Sequence, residues 1–266
     1  MRPYEPLTPV ATDARRLLAA PPGHQGVWDE SVEANAVPQA RPYLDALSVI
    51  HAAVRPTGYL EIGVRHGASL ALARCAAIGI DPEPELRLTL SPSTRVVRAT
   101  SDEFFGSMSG AIDFRIDLVF IDGLHLFECA LRDFIAVERL SHRNTVVVID
   151  DVLPNHPRQA LRQRQTRVWM GDVWRLKACL ESWRPDLRLT LLDTAPGGAL
   201  VVTSLDPRAR QLSDNYEAIL IEPSARQQSV PEDVLERRHA IDVDNDVFRD
   251  LLSNVLSARE ASDAGG

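Results

Sequence analysis

The chain has little of what marks secreted, membrane-spanning or nucleic-acid-binding proteins. Its three cysteines in 266 residues, Cys75, Cys129 and Cys179, are too far apart for a CxxC metal pair or a disulfide framework, so they read as reduced, buried thiols. No segment approaches the roughly 18 apolar residues needed to cross a bilayer, and the start, Met1-Arg2-Pro3-Tyr4-Glu5-Pro6, lacks an apolar signal core. The expectation is a cytoplasmic protein with no membrane partner. Basic charge is also scarce: the net charge is −8 and the pI about 5.4, whereas a nonspecific nucleic-acid binder needs clustered Lys and Arg. What is present is 45% apolar residues, ample for one packed α/β domain with additions. Small-molecule chemistry is the expected class, without nucleic acid.

Residues 1–40 are rich in Pro, Ala and polar residues, with a break at Pro21-Pro22-Gly23, and read as a loose N-terminal arm. Tyr43, Leu44, Leu47, Ile50 and Val54 recur at helical spacing, and Pro56-Thr57-Gly58 stops that helix. Strands are then expected at 59–64, 77–81, 95–100, 116–122 and 144–150. Helices are expected from Gly67 to about 77, around Phe127 to Val137, and over 168–183. Runs at 187–193 and 199–204 flank Ala195-Pro196-Gly197-Gly198 as a hairpin. This alternation predicts an α/β fold: a Rossmann-like, mostly parallel seven-stranded sheet with helices on both faces and a terminal antiparallel hairpin strand. The main domain is placed at 41–206. A helical extension at 207–266 would pack on the domain or, in a homo-oligomer, on a partner.

Two strands end in acids. Val146-Val147-Val148-Ile149 runs into Asp150-Asp151, and Asp117-Leu118-Val119-Phe120-Ile121 runs into Asp122. If those strands are neighbours, about 4.8 Å apart, three carboxylates meet at one sheet edge and repel unless a cation bridges them. Oxygen ligands of this kind suit Mg²⁺, which keeps waters that a substrate hydroxyl can replace. His125, three positions past Asp122, can take a proton near neutral pH. The plainer reading has Asp150 and Asp151 bonding to turn amides and His125 entering a helix.

A second motif, Glu61-Ile62-Gly63-Val64-Arg65-His66-Gly67, turns a strand toward a helix with two glycines that permit close backbone approach. It is not GxGxxG. Asp81 ends the next strand 18 positions beyond Gly63, where a carboxylate can accept both ribose hydroxyls of an adenosine cofactor.

Together these residues resemble class I S-adenosylmethionine-dependent methyltransferases over about 58–205. In that superfamily an acid with a Gly-rich turn contacts the methionine part and a second-strand acid binds ribose. Asp-Gly-Leu-His at 122–125, Asp150-Asp151 and Trp169-Met170-Gly171-Asp172-Val173-Trp174 are similar to a small-molecule O-methyltransferase group that includes macrolide-sugar methyltransferases. The resemblance implies that Asp122, Asp150 and Asp151 hold Mg²⁺ or another divalent cation and that His125 is the base. It implies Glu61, Gly63, Gly67 and Asp81 as S-adenosylmethionine contacts, with Ser101 near the adenine. The methyl acceptor would be a hydroxylated small molecule.

Two other classes compete. An NAD-dependent oxidoreductase can use the same sheet and ribose acid, but the missing GxGxxG and the terminal hairpin argue against it. A non-catalytic module would keep cofactor binding and use its tail for association, against which stand three intact acids and a histidine. Arg158, Arg162, Arg164 and Arg167 form either a solvated face or a lid for an acidic substrate. Trp174 reads as core, and Trp169 as lining an acceptor pocket.

Overall fold

The computed structural model describes residues 40–222 and 229–264, so the expected arm lies almost wholly outside the described residues. The strands of the main sheet are β1 (Gly58–Ile62), β2 (Ala76–Ile80), β3 (Thr94–Val97), β4 (Leu118–Ile121), β5 (Val146–Asp150), β6 (Arg188–Leu192) and β7 (Ala199–Thr203). They lie in the order β3-β2-β1-β4-β5-β7-β6. All pairings from β3 to β5 are parallel, and β7 runs antiparallel to both β5 and β6. The order reverses direction at β1, so the crevice beside β1 and β4 is the switch point where ligands of such sheets bind.

Period-2 alternation divides each central strand between two cores. Leu60, Ile62, Val119, Ile121, Val147 and Ile149 face one core, which also takes Leu131 and Phe134 of helix α2 (Phe127–Leu140) and Leu176 and Leu180 of helix α3 (Arg175–Trp183). Tyr59, Leu118, Phe120, Val146 and Val148 face the other, against Leu47 and Ile50 of helix α1 (Tyr43–Val54) and Phe248, Leu251 and Leu252 of helix α4 (Asp246–Ala264). Burial on both faces explains why the strands read as unbroken apolar runs. The C-terminal helix packs on α1 of its own chain. Arg259 Nη2 donates to the carbonyls of Val54 (2.6 Å) and Arg55 (2.8 Å), occupying acceptors that the end of α1 leaves open.

Two expected helices are shorter in the structure. The one opening at Gly67 is a single 3₁₀ turn, Leu70–Leu72. Positive φ at Gly63, Arg65 and Gly67 takes up the first half of that connection as an irregular turn, and Leu70 drops directly onto Gly79 of β2. The helix expected over 168–183 begins only at Arg175. Gly171 has φ 58°, and the amides of Met170 and Gly171 both bond the Gln159 carbonyl, so the chain before Arg175 forms a bound loop.

Candidate active site

Strand register sets the acceptor-side cluster. Phe120 pairs with Val148 and Ile121 with Ile149, so the next residues, Asp122 and Asp150, emerge side by side at the carboxyl edge of the sheet. Asp122, His125 and Asp151 each offer a ligand atom, all within 4.8 Å of one another. His125 Nε2 lies 3.2 Å from Asp122 Oδ1, and its Nδ1 lies 2.9 Å from Asp151 Oδ2 and 2.8 Å from the Trp169 carbonyl. Asp150 is adjacent but outside that trio. Among the described residues its Oδ1 is buried without a hydrogen-bond partner, an expensive position for a carboxylate oxygen.

The charges respond as Coulomb's law requires. Burial disfavours a charged His125, yet Asp151 and Asp122 outweigh it and hold the imidazole well above its ordinary pKa. Burial raises Asp122, partly offset by His125. Burial, then the charges of Asp151 and Asp122, push Asp150 well above the usual carboxylate range. Three carboxyls thus crowd one imidazole, an arrangement that favours protonation or added positive charge.

Loops from later in the chain hold His125. Trp169 stacks on its ring with centroids 5.3 Å apart and planes 17° apart, and the Trp169 indole donates to the Leu161 carbonyl. A Cβ on Gly171 would fall 1.7 Å from the His125 carbonyl oxygen, so only glycine lets this loop lie there. Asp172, fully buried, accepts from the Phe127 amide (2.8 Å), Arg162 Nη1 (2.7 Å) and Arg175 Nη1 (2.8 Å). Arg162 also bridges to Glu128 at the start of α2. Arg162 is thus a half-exposed strut whose guanidinium ties Glu128 to Asp172. Trp174 is buried, as its helical spacing suggested.

The residues expected on the cofactor side occupy the neighbouring strand ends. Glu61 is fully buried; its carboxylate accepts from Tyr59 Oη (2.6 Å) and Ser69 Oγ (2.7 Å). Burial pushes its pKa up to about 8. Asp81 Oδ2 accepts from the amides of Val64 (2.9 Å) and Arg65 (2.7 Å), and its Oδ1 from Glu83 (2.7 Å), so this acid clamps the β1 turn. A Cβ on Gly63 (φ 88°) would fall 1.8 Å from the Asp122 carbonyl oxygen, so this glycine joins the two halves of the site. Gly67 (φ 81°) needs glycine for its backbone conformation. Ser101 hydrogen-bonds Asp133, a buried acid that burial raises to about 7. Asp133 lines a cavity with Asp122, Gly123, His125 and Asp150.

The sequence reading missed Asp133, Gly171 and Tyr43. Tyr43 stacks on Phe120 (6.1 Å), and burial followed by the charges of Asp122 and Asp150 raises its phenol. Its only signal was an aromatic opening a helix.

Residues 60–152 match the family model described as "Methyltransferase domain". No curated protein sequence matches the chain. Among solved structures the fold is similar to cofactor-bound Rv0187 from MTB, with 18% identity over 66% of this chain and 86% of that one, TM-score 0.49. It is also similar to the O-methyltransferase TomG from Streptomyces achromogenes in complex with SAM, with 17% identity over 68% and 92%, TM-score 0.47. A third is the MycE methyltransferase of the mycinamycin biosynthetic pathway in complex with Mg, SAH and mycinamycin VI, with 16% identity over 57% and 46%, TM-score 0.43.

Proposed function

We propose that this chain, whose residues 60–152 match a methyltransferase-domain family, is a class I S-adenosylmethionine-dependent methyltransferase that methylates a hydroxyl of a small molecule. The acceptor class is a sugar or natural-product intermediate. Asp122, Asp150 and Asp151 would hold a divalent cation such as Mg²⁺, with His125 as the base. Glu61, Gly63, Gly67, Asp81 and Ser101 would form the cofactor side, where S-adenosylmethionine supplies a sulfonium-bound methyl group.

The observation that carries this reading is the convergence of Asp122, His125 and Asp151 beside the unpartnered Asp150 oxygen, one strand from the β1 turn. The donor set fits a hard cation, since crowded carboxylate oxygens gain most from added positive charge. Bound there, such an ion would polarise the acceptor hydroxyl and make it more acidic. Asp122 and Asp151 hold His125 protonated, and a cation bound to them would offset that pull, so that the neutral imidazole would take the proton as the hydroxyl oxygen bonds the methyl carbon and the carbon–sulfur bond breaks toward sulfur. The stacked Trp169 and the Trp169 carbonyl keep the imidazole aimed during the transfer.

Calorimetry with S-adenosylmethionine, followed by methyl transfer from labelled cofactor to a panel of hydroxylated metabolites, tests the reading. Activity should vanish on chelation and return with Mg²⁺. Activity that persists under chelation removes the metal role, and a chain that binds no S-adenosylmethionine defeats the whole proposal.

A further inference from the structure

Arg237 lies between the short helix Glu232–Leu235 and α4, far in sequence from every acid of the site, and its side chain is 8% exposed. All five guanidinium donors are used. Nε donates to Asn155 Oδ1 (2.8 Å); Nη1 donates to Asp193 Oδ1 (2.7 Å) and the Thr194 carbonyl (2.9 Å); Nη2 donates to the carbonyls of Leu153 (2.9 Å) and Pro196. These acceptors lie on two segments. One, 153–155, leaves the sheet directly after Asp150-Asp151; the other, 193–196, is the turn joining β6 to β7.

That turn is the seat of Asp151. A Cβ on Gly197 would fall 2.0 Å from Asp151 Oδ1 and 2.8 Å from its Cα, so the two backbones touch there. Asp151 itself has φ 64°, a left-handed conformation that a non-glycine residue adopts only when its surroundings impose it. The Leu153 amide closes the contact by donating to the Gly197 carbonyl (2.6 Å). Arg237 is the clasp across this seam. Its own segment is anchored to the sheet edge, since the Ile241 amide donates to Leu191 and the Ile241 carbonyl accepts from Asp193.

We propose that Arg237 is a positioning residue for the acceptor side: by tying the loop after β5 to the β6–β7 turn, it fixes the Asp151 carboxylate where the cation and His125 need it. The tail thereby completes the site without touching a reacting atom. This inference rests on the cation reading above for its chemical purpose, and on the five hydrogen bonds for its geometry.

Full-length Arg237→Lys and Arg237→Ala proteins are compared with the parent by amide hydrogen exchange and by Mn²⁺ titration without substrate. Lysine keeps the charge but offers its donors from one point, so it cannot span both segments. In both variants the amides at 151–153 and 197–198 should exchange at least about tenfold faster while β1 and β4 amides are unchanged. Mn²⁺ affinity should fall about 10–100-fold, the usual cost of losing an outer partner of a ligand. Unchanged exchange in both variants overturns the proposal, as does faster exchange with unaltered Mn²⁺ affinity. Should the parent itself bind no Mn²⁺, the cation reading fails, and exchange alone then decides whether Arg237 fixes Asp151. A variant that fails to fold is replaced by Asn155→Ala with Asp193→Ala, which removes two side-chain acceptors and leaves the arginine; unchanged exchange there also overturns the clasp.

Discussion

At the end of β1, the carboxylates of Glu61 and Asp81 meet hydrogen-bond donors drawn from between residues 59 and 83. At the ends of β4 and β5, Asp122, Asp150 and Asp151 meet one another and a histidine, and their support arrives from residues 169–172, 193–198 and 237. The donor side is finished by its own neighbourhood. The acceptor side is crowded with like charge and assembled from distant pieces, which makes it strained and responsive to added positive charge. Binding a cofactor favours a preformed surface, whereas activating a hydroxyl favours unbalanced charge.

The largest expected effect that sharpens this contrast is on His125. His125→Ala should lower methyl transfer by about 10²–10⁴-fold, the usual scale for a lost general base, with S-adenosylmethionine affinity by calorimetry unchanged. A parallel loss of cofactor affinity would mean that the two sides are not separable. Gly63→Ala should instead damage both at once, because its Cβ would strike the Asp122 carbonyl and its φ is 88°. Denaturant unfolding should show a loss above about 3 kcal/mol.

Asp150→Asn reverses the sign. Its carboxyl is raised by burial first and by Asp151 and Asp122 next, so ionising it weakens the fold as pH climbs toward that raised value. At neutral pH the amide should therefore be more stable by about 1 kcal/mol, a Tm gain of roughly 2–4 °C, while metal-dependent activity is lost. A lower Tm would show that the acid is well accommodated. A separate, pH-dependent effect belongs to Glu61, whose carboxyl burial lifts to about 8. The stability it contributes is full below an ordinary Glu value of about 4.3 and disappears as pH rises through 8. Thermal melts of the apo protein should fall between pH 5 and 9, and Glu61→Gln should flatten that fall.

Much of the sheet was legible because apolar runs of strand length ending in Asp122, Asp81 and Asp150 carry both the period and the terminus. Once β4 and β5 are neighbours, register alone brings Asp122 beside Asp150. The ring of support was not legible. Arg162 looked like one of four surface arginines, yet its partners Glu128 and Asp172 sit on other elements, and ion pairs leave no period in sequence. The 168–183 stretch looked helical throughout because Leu176 and Leu180 keep the spacing, while Gly171 is held left-handed by its contact with the His125 backbone. The bonds of Glu61 to Tyr59 and Ser69, which shape the turn, were not legible either, because no shared motif joins those positions.

The sequence by itself determined the α/β alternation, the acids at the strand ends and the glycine turn, since each depends on residues near one another along the chain. Tertiary structure alone decided that His125 sits between Asp122 and Asp151, that Asp150 Oδ1 has no partner, and that Arg237 clasps the seat of Asp151. The physical reason is range. Backbone propensity and side-chain period act over a few residues, whereas electrostatic balance and hydrogen-bond closure are settled only when packing brings remote segments within a few ångströms.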